Sequence, residues 1–106
     1  MTKKDAHILI VDDDPDVLYT AQLLLKREYT RVSTENSPVR LESLLKKEEV
    51  DILLLDMNFK IGATSGNEGL FWLQKVQQLR PQTLVIMHTA YGDIQLAVEC
   101  MKKKIN

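Results

Sequence analysis

The sequence holds a single cysteine, Cys100, so it can form no internal disulfide and assemble no multi-cysteine metal site. That suits a reducing cytoplasm, with Cys100 read as a small half-buried residue. Excess charge of one sign is also missing: fourteen Lys and Arg against fifteen Asp and Glu give a formal net charge of -1. A segment that gripped nucleic acid by itself would need a positive field, and this balance supplies none. Long hydrophobic runs are absent as well. The apolar run nearest the start, Ile8 to Val11, is far too short for a signal-peptide core or a membrane span. No internal repeat, low-complexity tract or interdomain linker interrupts the chain, and 106 residues suffice for one compact domain. The expectation is a single soluble, cytoplasmic domain over residues 1–106.

What is present is a set of short apolar runs: Ile8-Leu9-Ile10-Val11, Ile52-Leu53-Leu54-Leu55 and Leu84-Val85-Ile86-Met87. Their length and composition are those of strands covered on both faces, which belong in a parallel sheet. Segments of helical period lie between them, as the crossovers of a parallel sheet require. Val17, Leu18, Ala21, Leu24 and Leu25 share one face of the first, and Val39, Leu41, Leu44 and Leu45 are expected to do the same in the second. Thr30 to Glu35 reads as a short edge strand. After Asp56 comes a loop rich in Gly, Thr, Ser and Asn, then a helix from about Asn67 to Leu79, stopped by Arg80-Pro81. A fourth strand starts at about Thr83. Gly92-Asp93 caps a last helix with Ile94, Ala97, Val98 and Met101 as its apolar stripe and Lys102-Lys103-Lys104 at its C-terminal end. The order βαβαβαβα predicts an α/β fold with an open, doubly wound parallel sheet.

Ligands of such sheets sit beyond the carboxyl ends of the strands, so the residues that follow each run are read together. They are Asp12-Asp13-Asp14, Asp56 and Thr89-Ala90. Carboxylates crowded in a cleft either raise their pKa values or recruit a cation. Mg²⁺ suits the site, because it takes oxygen ligands and combines a few carboxylates with phosphate oxygens. A carboxylate beside such an ion can attack a phosphoryl group, and Asp56, at the tip of a central strand, fits that role. Asp14 before Pro15 is assigned to helix capping. Asp56 or Thr89 taken singly reads as the start of a loop or the end of a strand, so the convergence of the three runs carries the signal. His88 beside Thr89 is read as a packed or solvated histidine, since neighbouring strand residues face opposite ways.

Ile-Val-Asp-Asp-Asp-Pro, Leu-Leu-Leu-Asp-Met-Asn and Ile-Met-His-Thr-Ala-Tyr-Gly-Asp resemble, in order, the three signatures of response-regulator receiver domains. The resemblance implies a flavodoxin-like, CheY-like fold with strand order 2-1-3-4-5, and a phosphoacceptor switch rather than an enzyme. It implies that Asp12 and Asp13 form an acidic pair, with Asp13 a direct Mg²⁺ ligand, and that Asp56 is the phosphorylated nucleophile and a second ligand. Asn58 would offer its backbone carbonyl to the metal, Thr89 would hydrogen-bond a phosphoryl oxygen, and Ala90 would leave room for it. The side chains of Asn58 and Tyr91 would influence access of hydrolytic water. The implied donor is a sensor histidine kinase. The late helix, Ile-Gln-Leu-Ala-Val-Glu-Cys-Met-Lys-Lys, further resembles receivers attached to σ54-dependent activators, which places transcriptional output in another domain.

Two departures from the family pattern stand out. Asn106 comes before the fifth strand, with its lysine, and the fifth helix, so the resemblance implies a truncated receiver of order 2-1-3-4. Its fourth strand is then expected to be an open edge, through which the fragment self-associates or which leaves it less stable than a complete receiver. The stretch from Asn58 to Glu68 is longer than the family's usual loop, and Lys60, Gly62, Gly66 and Gly69 suggest a spacer near the acceptor. Two other functions compete. Asp12-Asp13-Asp14 contains the Asp-x-Asp spacing of haloacid-dehalogenase-like phosphatases, with Asp12 as nucleophile. That class usually has Thr or Val where Asp16 stands and needs a larger chain. The other is a pseudo-receiver that binds partners without being phosphorylated.

Overall fold

The computed structural model describes residues 3–56 and 67–88, the side chains of 67–70 and 88 excepted. The last helix expected after Gly92-Asp93 and the loop from Asn58 to Gly66 lie outside the described residues. Among the described residues, four strands and three α-helices alternate: β1 (Lys4–Val11), α1 (Pro15–Leu25), β2 (Tyr29–Glu35), α2 (Leu41–Lys47), β3 (Ile52–Asp56), α3 (Asn67–Leu79) and β4 (Leu84–His88). All strand pairings are parallel, and the sheet order is β2-β1-β3-β4. The three apolar runs thus became β1, β3 and β4.

Alternation along each strand divides the core in two. Ile8, Ile10, Ile52 and Leu54 face Ala21 and Leu25 of α1, with Tyr29 and half-buried Leu18 beside them. Leu9, Val11, Leu53 and Leu55 face Leu41 and Leu45 of α2 and Val76 of α3, with Trp72, Leu73 and Leu79 packed against that layer. A strand buried from both sides has no polar face, which is why its sequence reads as an unbroken apolar run. All five residues of β3, Asp56 included, are buried.

Local chemistry sets the helix ends. Asp14 caps α1, accepting from Asp16 N–H at 2.9 Å, and Pro15 takes the first helical position, where its missing N–H costs nothing. Ser37 and Pro38 open a 3₁₀ turn (Pro38–Arg40) that leads into α2. Here the expected inward stripe needs correcting, because Val39 is 75% exposed in that turn. Leu41 and Leu45 are the buried pair, and a residue two positions before Leu41 lies about 200° round a helix from it. β1 and β2 also begin earlier than the sequence predicts. Tyr29 opens β2 and is buried, and Lys4 pairs with it across a register shift in β1. Lys4 N–H donates to the Glu28 carbonyl at 2.7 Å, a backbone bond that hydropathy does not reveal.

The amino end of the sheet is sealed by polar contacts. The buried His7 ring has Nδ1 3.2 Å from the Glu49 carbonyl and Nε2 2.9 Å from Ser33 Oγ. Its backbone N–H donates to Asp51 Oδ2 at 2.8 Å, and Thr83 Oγ1 donates to the Val50 carbonyl at 2.7 Å. These bonds tie the start of β1 to the turns that precede β3 and β4, so the opposite end of the same strands is held in register. Among the described residues, no helix is long and apolar enough to cross a membrane.

Candidate functional site

The carboxyl ends of β1 and β3 lie side by side, Val11 opposite Leu55. Continuing the alternation past Ile10 and Leu54 puts Asp12 and Asp56 on the α1 side of the sheet. Both are buried, at 4% and 5% exposure, while Asp13 is half-buried. Asp12 is held in the sheet by its own backbone, whose N–H donates to the Glu35 carbonyl of β2 at 3.1 Å. Asp12, Asp13 and Asp56 each present a carboxylate oxygen, and these oxygens all lie within 4.8 Å of one another.

Three carboxylates at that spacing set up mutual repulsion. Asp12 registers it: burial first, and then the charges of Asp56, Asp13 and Asp14, push its pKa from 3.8 up to about 7. One contact opposes the shift. The backbone N–H of Asp14 donates to Asp12 Oδ1 at 2.8 Å and favours the ionised form. Oxygen donors and partial burial are the chemistry of a hard divalent cation site. The cluster is capable of that coordination, and a cation there would relieve the repulsion.

The structure therefore brings together Asp12, Asp13 and Asp56, as the sequence predicts, although Asp56 is remote from the others in the chain. Asn58, Thr89, Ala90 and Tyr91 lie outside the described residues. Asp14 does cap α1, as expected, but its second role, as a backbone donor to Asp12, was not foreseen. No side-chain pattern marks a main-chain N–H as functional; only the distance reveals it.

The family model for the response regulator receiver domain matches residues 8–106. The chain belongs to the response-regulator receiver family. Among curated proteins it is similar to the response regulator protein PilR of Pseudomonas aeruginosa, with 35% identity over 94 residues, 89% of this chain. It is 31% identical over 105 residues, 99% of this chain, to the transcriptional regulatory protein GlrR of Escherichia coli. The chain spans about a fifth of the length of these relatives, 20% of PilR and 22% of GlrR. Among solved structures it resembles the N-terminal signal receiver domain of a two-component response regulator from Bacteroides fragilis. There the identity is 42%, the TM-score 0.69, and 96% of this chain and 78% of that one are covered. In the receiver family the acidic pocket at the carboxyl ends of β1 and β3 is the place for a phosphoacceptor and its metal, and the Asp12, Asp13 and Asp56 cluster is consistent with that.

Proposed function

We propose that this receiver accepts a phosphoryl group on Asp56 from the phosphohistidine of a sensor kinase, with Mg²⁺ held by Asp12, Asp13 and Asp56. The observation that carries the reading is the approach of three carboxylate oxygens to within 4.8 Å at the end of a buried central strand. The donor set fits Mg²⁺: all ligand atoms are oxygens, and the burial and neighbouring carboxylate charges that raise the Asp12 pKa are what a divalent ion would offset. When bound, Mg²⁺ supplies the positive charge that balances the oxygens of the transferring group.

This chain's own residues do the rest. One Asp56 oxygen forms a bond to phosphorus as the phosphorus–nitrogen bond to the donor histidine breaks. The electron pair of that bond returns to the imidazole, which then takes up a proton. Burial of Asp56 limits the water that could compete. Asp13 would bind the ion directly, with Asp12 beside it and the Asn58 backbone carbonyl as a further ligand. The Thr89 hydroxyl would donate to a phosphoryl oxygen and so bias the segment after β4 between two states. Output through a transcription-regulatory domain is supported by the relation to GlrR, a transcriptional regulatory protein.

The test is incubation with Mg²⁺ and acetyl phosphate, followed by intact mass and peptide mapping of wild type, Asp56→Asn and Asp12→Asn. A gain of one phosphoryl group in wild type, mapped to Asp56 and lost in Asp56→Asn, is expected. Phosphate on Asp12 would point to phosphatase-like chemistry. No gain in any chain would leave a folded binding module and defeat the acceptor reading.

A further inference from the structure

Asp14 has bonds running in both directions along the chain. Its backbone N–H donates to Asp12 Oδ1 at 2.8 Å, and its own Oδ1 accepts from Asp16 N–H at 2.9 Å. Its carbonyl accepts from Leu18 N–H at 3.2 Å, which fastens the same residue to the first turn of α1. The backbone there is extended, with φ -93° and ψ 114°. Pro15 already confines residue 14 to the extended region. Within that region the cap selects the conformation whose N–H faces back toward Asp12.

We propose that Asp14 is a positioning residue for the cation pocket: anchored to α1 by its side chain, it aims its amide at Asp12 and sets the orientation of that carboxylate toward Asp13 and Asp56. This inference rests on the cation reading given above. Two contributions of Asp14 are separable. Its negative charge adds to the field of the pocket, whereas its side-chain oxygen holds the cap. Serine and asparagine keep a capping oxygen and remove the charge; alanine removes both. Partners that orient a metal ligand typically contribute about 10–100-fold in metal affinity.

The experiment is calorimetric titration of the full chain with MgCl₂ for wild type, Asp14→Ala, Asp14→Ser, Asp14→Asn and, as a control, Asp13→Asn. Hydrogen exchange at the residue 14 amide is measured in parallel without magnesium. Asp14→Ala is expected to weaken Mg²⁺ binding about tenfold and to speed exchange at that amide. Asp14→Ser and Asp14→Asn are expected to stay within about threefold of wild type, the scale of a screened charge, with slow exchange retained. Should circular dichroism show the alanine chain unfolded, Asp14→Gly replaces it, since glycine is tolerated at caps but carries no side-chain oxygen. An unchanged affinity in Asp14→Ala, or an equal loss in all three variants, overturns the positioning role while the pocket stands. Wild type that binds no Mg²⁺, with Asp13→Asn indistinguishable from it, overturns the pocket and the positioning role together.

Discussion

Val11 of β1 stands in register with Leu55 of β3, so Asp12 and Asp56, the residues that follow this pair, are neighbours although more than forty positions separate them in the chain. The pocket follows from that pairing, because Asp13 is covalently bound to one partner and the pleat turns both acidic side chains to the same face.

The metal-free protein should lose stability as pH rises from about 4 to about 7. Asp12 holds its proton in the folded chain up to about 7, whereas its ordinary value is 3.8. Between those values the folded state binds the extra proton, so raising the pH favours unfolding. Urea midpoints in the presence of a chelator should therefore fall across that window, with a smaller slope in Asp12→Asn. A midpoint that rises with pH in wild type would refute the assignment.

Magnesium should act in the opposite direction. Its affinity should increase as pH rises through the same interval, because Asp12 must give up its proton to favour a cation. At a concentration about a hundredfold above the dissociation constant, the ion should add about 2.7 kcal/mol of stability. Thermal melts with and without MgCl₂ at pH 6 and pH 8 measure this, and equal shifts at both values would count against it.

Tyr29 offers a test of the core. Its side chain is 1% exposed, and its hydroxyl has no hydrogen-bond partner among the described residues. Burial, followed by the charge of Glu28, raises its pKa, as expected for a phenol kept from water. Tyr29→Phe removes an unsatisfied polar atom without changing shape, and is expected to stabilise the fold by about 1 kcal/mol. Chemical denaturation would decide, and a loss of stability would mean that the hydroxyl is satisfied after all.

Leu53 and Leu54 point to opposite layers of the core, and both are fully buried. Replacing either by alanine should cost about 2–5 kcal/mol, the range for leucine truncation in a packed interior. Comparable losses in equilibrium unfolding would show that both layers bear on stability. A negligible effect for one would mean that its layer is loosely packed.

The sequence discloses the centre of this fold better than its periphery. Strands buried on both sides must be apolar throughout, so Ile8 to Val11 and Ile52 to Leu55 were visible without coordinates. Asp12 and Asp56 were legible for a related reason, as charges that interrupt such runs where a parallel sheet presents ligands. Lys4 and Tyr29 were missed as strand openings because backbone pairing, not hydropathy, extends those strands. Val39 departs from the expected stripe because it sits in a 3₁₀ turn, across which the helical spacing of apolar residues does not continue. The Asp14 amide leaves no mark in the sequence because it is main chain.

β1 has hydrogen-bonded neighbours along both of its sides, β2 and β3. An interior ribbon laced on two flanks opens only when much of the molecule comes apart, so its amides should be among the slowest to exchange with solvent. Asp12 thus hangs from one of the least yielding parts of the architecture. Were a phosphoryl group accepted beside it as proposed, the shape change that answers it is expected in the surrounding loops and helices, not in β1.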